Sequence, residues 1–169
     1  MPDFALAHAL HVLAVIMWIG GVGFVTLVVL PGLDPLPPEE RMAAFSRIEG
    51  RFSAQARLWV LLAGLSGLWM CWRADLWSRF TDGHFWWMHA MVAVWTLFAG
   101  IMFVAEPLFL HRRLRDSRHP ARDHARMKAM HRLLLALGLI AAFGAAAGSH
   151  GWSEAPRHAG SSHRQGGPV

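Results

Sequence analysis

The sequence is poor in cysteine and poor in charge. Cys71 is its one cysteine, so no internal disulfide can form and no Cys-x-x-Cys metal motif exists. Charged residues make up 16% of the 169 residues, against 54% hydrophobic. That is too little charge to cover the surface of an ordinary soluble domain. The N-terminus lacks the basic n-region of a cleavable signal peptide, and its apolar run is too long for an h-region. There is no Gly-rich phosphate loop, no Gly-x-Ser-x-Gly and no His-Glu-x-x-His. Phosphate-loop, serine-hydrolase and zincin chemistry therefore have no motif here. No internal repeat is visible.

What is present in quantity is long apolar sequence. From Phe4 to Leu30 no residue is charged. Four segments, about 4–30, 54–76, 85–110 and 132–152, are long enough to cross roughly 30 Å of hydrocarbon. They predict an all-α, integral membrane four-helix bundle over residues 1–152, with 153–169 a polar, Gly/Ser-rich, disordered tail. Gly20, Gly21, Gly23, Gly64 and Gly67 cluster, and Gly144 and Gly148 are four apart. Such small residues let membrane helices approach closely, and the reading leaves a homodimer open. The net charge of +5 does not imply nucleic acid, because the basic residues sit in the connections between apolar runs. The connection 111–131 holds Arg112, Arg113, Arg115, Arg118, Arg122, Arg126 and Lys128, and 31–53 holds Arg41, Arg47 and Arg51. The positive-inside rule puts both in the cytoplasm and both termini outside, in a bacterial inner membrane. Arg57 and Glu106, each about one turn inside its helix from the cytoplasmic side, are expected to pair, because an unpaired charge there is costly.

Against that background the histidines stand out. Those at the membrane ends converge on one leaflet: His8 and His11 in the first segment, His89 in the third and His150 in the fourth. A tryptophan belt at that level is ordinary, and a histidine at a helix end is often only interfacial. His11 and His89 lie deeper, where an ionisable side chain is by default a functional one. His119, His124, His158 and His163 are assigned to solvent. Facing imidazoles on different helices suit an axially ligated metal centre. Haem b fits apolar, aromatic, glycine-rich surroundings, with Arg73 or Arg79 within reach of its propionates. Copper(I) would instead draw on Met70, Met88, Met91 and Cys71, although such methionines are more often simple packing. A ligating imidazole needs an acceptor for its other ring N–H, and a helix carbonyl or a Ser/Thr hydroxyl is the expected one.

The stretch "HVLAVIMWIGG" places Trp18 seven residues after His11 and Gly21 three after Trp18. It resembles the first helix of the copper-resistance D-type membrane proteins and of the four-helix bacterial membrane protoporphyrinogen oxidase. "WWMHAMV", around His89, is similar to a Trp-Leu-His-Ala-Lys-Leu stretch of that oxidase. The resemblance implies a haem-b- or copper-associated four-helix membrane protein, with His11 and His89 where those families carry histidines. Met91 stands where the oxidase has a functional lysine, which argues against protoporphyrinogen oxidation itself. The expectation is a haem-b redox protein passing electrons between a periplasmic-side partner or small oxidant and membrane quinone. His11 and His89 lead as ligands, with His8 and His150 as alternatives and Trp18 packing nearby. A copper-handling transporter and a cofactor-free assembly subunit are the competing expectations.

Overall fold

A computed structural model describes residues 2–110 and 120–149, apart from the side chains of Met42, Arg51 and residues 106–110, 120 and 121. Among these residues there is no strand. The first helix, α1, runs Pro2–Phe24 and continues through a π turn, Val25–Val29, into a last turn, Leu30–Gly32. The second, α2, is Pro38–Arg73. Two 3-10 turns, Leu76–Phe80 and Gly83–Phe85, lead into α3, which is α-helical over Trp86–Gly100 and π-helical over Ile101–Leu110. The last, α4, is Pro120–Ser149. Four stretches, Pro2–Gly32, Phe52–Arg73, Gly83–Ala105 and Arg122–Ser149, are long and apolar enough to cross a membrane. On length and composition this is a multi-pass membrane protein.

The helices outrun the apolar segments. Residues 38–53, expected as part of a connection, form the first four turns of α2. Pro38 sits at the start, where its missing N–H costs nothing, and Glu39 and Glu40 occupy the first turn, where the helix dipole favours them. Pro120 and Asp123 open α4 in the same way. At the other end α2 stops at Arg73, because Asp75 takes a left-handed conformation with φ 50°. Short acidic and amide side chains tolerate this region better than most. Both π segments have a proline within or just after them. A proline ring in a regular α-helix presses on the carbonyl four residues back, which is that of Leu27 for Pro31 and of Phe103 for Pro107. Widening the turn relieves that contact.

Packing is built around tryptophans set into glycine notches. Trp18, Ile19, Val60, Ala63, Phe98 and Leu134 form the central cluster. Trp18 meets Phe98 edge-on, with ring centroids 4.9 Å apart. Trp95 lies over Gly64, so closely that a Cβ there would come within 2.5 Å of the indole. Its Nε1–H donates to the Val60 carbonyl at 2.8 Å. A second cluster, with Leu30, Leu33, Phe45 and Met127, fills the other end. Large apolar side chains such as Leu6, Ile16, Leu65 and Phe143 are exposed. That is costly in water and ordinary in lipid.

Candidate functional site

The His11 ring is seated at the seam of α1 and α2. Gly67 faces it, and a Cβ there would lie 3.2 Å from the His11 Cε1. The His11 Nδ1–H is shared between the Ala63 carbonyl at 2.9 Å and the Ser66 hydroxyl oxygen at 3.2 Å. Ser66 donates its own proton to the Leu62 carbonyl at 2.5 Å, so its oxygen is free to accept. Both acceptor types expected for such a ring, a helix carbonyl and a hydroxyl, are therefore present. The consequence is chemical. With the proton fixed on Nδ1, Nε2 keeps its lone pair, and among the described residues it makes no hydrogen bond. Orientation through the other nitrogen is how a protein prepares an imidazole to ligate.

His89 has different company. It lies exposed in the first turn of α3. Its Nε2–H donates to the Phe80 carbonyl at 3.0 Å, and its ring meets Phe80 edge-on at 5.5 Å. No hydrogen bond or ring contact among the described residues links it to His11. His8 is exposed, one turn before His11; His150 lies outside the described residues. Arg73 is engaged, its Nε donating to Asp3 at 2.7 Å and tying the start of α1 to the end of α2. Arg79 rests over the Phe85 ring, 5.0 Å from its centroid. Trp18 is buried, and its Nε1 has no partner among the described residues. Met88 is buried, and Met70, Cys71 and Met91 are half-buried. Among the described residues no group of three or more His, Cys, Asp or Glu is placed to hold a metal ion. His11 thus keeps one ring nitrogen available, and among the described residues no hydrogen bond or ring contact joins it to another histidine. Arg57 is half-buried, whereas the side chain of Glu106, its expected partner, lies outside the described residues.

The opposite end holds a cluster that sequence reasoning missed. His124, assigned to solvent, is 3% exposed. Its Nε2–H donates to Asp34 Oδ1 at 3.2 Å, while Lys128 Nζ donates to Asp34 Oδ2 at 2.6 Å. Arg41 donates to the backbone oxygens of Asp34 and Leu36 at 2.7 and 2.8 Å. This fixes the chain between α1 and α2. The Lys128 ammonium, and then His124, hold the Asp34 carboxyl below the usual carboxylate range. His124 Nδ1 is sealed without a partner among the described residues. A sealed polar atom of that kind costs about 1–3 kcal/mol. His131, two turns further on, donates from Nδ1 to the Met127 carbonyl at 3.0 Å and meets Phe45 edge-on. The available signal was spacing. His124, Met127, Lys128 and His131 share one face of α4, which marks a packed stripe and not a solvated one.

The chain matches no protein-family model, no curated protein and no solved structure.

Proposed function

We propose that the protein is a haem-b-binding four-helix bundle of a bacterial inner membrane. In this reading it passes electrons between a periplasmic-side partner or small oxidant and membrane quinone. The observation that carries this is the His11 seat, an imidazole held in lipid with Nδ1–H committed to α2 and Nε2 left available. The resemblance of "HVLAVIMWIGG" to haem- and copper-associated membrane helices points the same way. A bound haem supplies one-electron chemistry. The chain's own share is to orient His11 through Ala63 and Ser66 and to admit the ring beside Gly67. His89, His8 and His150 are the candidates for a second ligand or a second centre. With its Nε2–H held by the Phe80 carbonyl, His89 would ligate through Nδ1. Arg79 has no ion pair among the described residues and suits a propionate better than Arg73, which holds Asp3. Met91 in place of a lysine argues against protoporphyrinogen as substrate. The Lys/Arg excess at the Asp34 end favours a cytoplasmic location for that end.

The test is the visible spectrum of the purified protein before and after dithionite. Sharp ferrous-haem bands are expected. His11→Ala should abolish or shift them with membrane insertion intact, and His163→Ala should leave them unchanged. A preparation without haem bands that carries stoichiometric copper would replace this reading with the copper-handling one.

A further inference from the structure

We infer that the groove between α3 and α4 is a binding site for an anionic phospholipid, with its phosphate at Arg79 and an acyl chain along Trp86, Ile140 and Phe143. The site shares Arg79 with the haem reading, where that side chain is a propionate candidate; among the described residues no hydrogen bond or ring contact joins Trp86, Ile140 or Phe143 to His11.

The groove has a volume of about 440 Å³ and is lined by apolar side chains and small residues. Its floor is Gly144 and Gly148. The indoles of Trp86 and Trp87 already lie over them. A Cβ on Gly144 would come within 2.7 Å of Trp86, and one on Gly148 would overlap Trp87. That occupancy matters. Glycines four apart usually admit the backbone of another helix, and here the notch is filled from within the chain. What stays open is a channel beside the indoles, walled by Ile140 and Phe143, both more than half exposed. A flexible hydrocarbon chain fits such a channel, and a second helix does not.

A cation is linked to the groove wall through aromatic rings. Arg79 is exposed and has no ion pair among the described residues. Its guanidinium sits over Phe85, and Phe85 in turn meets Trp87 at 5.2 Å, so the cation is two ring contacts from the groove wall. The His84 ring meets the same Trp87 edge-on at 6.2 Å. The nearby carboxylate of Asp82 is turned into its own loop, accepting the His84 backbone N–H at 2.8 Å. A guanidinium over an aromatic ring keeps N–H groups to present, and a guanidinium fork can match a phosphate bidentately. Tryptophans also mark the level at which headgroups sit.

The full chain in mild detergent, incubated with phosphatidylglycerol or phosphatidylcholine of identical acyl chains, is read by native mass spectrometry. One phosphatidylglycerol should be retained severalfold over phosphatidylcholine. Arg79→Gln should erase the preference, and Ala147→Phe, which fills the groove, should reduce retention severalfold. Ile140→Trp blocks the same channel from the lipid side and serves if the first filling variant fails to fold. Equal retention of the two lipids by the unaltered protein would overturn the inference. So would a preference that neither Arg79→Gln nor a folded groove-filling variant disturbs, or retention of a neutral isoprenoid instead.

Discussion

A histidine inside a membrane helix is expensive, and this chain commits its hydrogen bonds to His11 in a particular order. The backbone of α2 takes the Nδ1 proton, Ser66 supports it, and Gly67 makes room. Gly67→Val should push the ring from its seat, because the new side chain would start 3.2 Å from Cε1. The expected outcome is loss of the His11-dependent absorption with insertion and helix content kept. Normal absorption in that variant would mean that the seat is not needed. Asp34 is the corresponding residue at the other end. Its carboxyl is held below its ordinary value of 3.8 by Lys128 and then His124. A carboxylate with a depressed folded-state value contributes stability fully above 3.8, and loses it as pH falls through the lower folded value. The unfolding temperature should thus be insensitive to this group near neutrality and fall in acid below about pH 4. Asp34→Asn should lower the temperature at pH 7 and flatten the acid limb. Parallel acid limbs for the two proteins would show that the pairing contributes nothing.

At the scale of the helices, contact is made by indoles in glycine notches, and the notches are not equivalent. Gly64 has an indole atom 2.5 Å from where a Cβ would stand and Gly148 has one closer still, whereas Gly20 and Gly100 face open space. Gly64→Ala and Gly148→Ala should each destabilise by about 1–3 kcal/mol, the usual cost of overpacking. Gly20→Ala and Gly100→Ala should be neutral or slightly stabilising. Reversible unfolding in mixed micelles would measure all four, and equal effects would refute the notch description. The clustering of these glycines was visible in the sequence, but which of them a neighbour fills was not. That depends on Trp95 and Trp87, whose positions no local pattern encodes. The same limit applies to helix ends. The charge-free run 4–30 announces α1, but residues 38–53 and 120–131 are polar, and a hydropathy pattern takes them for connections. Their helicity comes from prolines and acids at the first turn and from burial of Phe45 and His124 against distant parts of the chain.

For the whole molecule, two polar ends separated by an apolar middle make orientation the decisive question. The excess of Arg and Lys on the connections near Asp34 predicts that a reporter fused after Val169 works only if it functions on the non-cytoplasmic side. Cytoplasmic activity would invert the chain and put the Asp34 cluster outside. His11 could be singled out from the sequence because its surroundings are wholly apolar. His124 could not, because its neighbours Arg122 and Arg126 are charged and its partner Asp34 is far away in the chain. Its one local mark is the spacing it shares with Met127, Lys128 and His131 on a face of α4. Its partner Asp34 becomes visible only when the end of α1 is laid against the start of α4.

The π turn at Val25–Val29 gives α1 one residue more than a regular helix needs to cover the same distance. The surplus is absorbed locally, so the face that carries His11 and Trp18 and the face that delivers Asp34 keep a fixed phase. Length changes in this helix are therefore not interchangeable. A residue deleted within Val25–Val29 removes the surplus and leaves both flanks facing as they do. The same deletion two turns earlier swings Asp34 by about 100° around the axis, away from Lys128 and His124. The π turn is the joint in α1 where an insertion or deletion can be absorbed without separating the two polar ends, and gaps between related chains are expected to gather there.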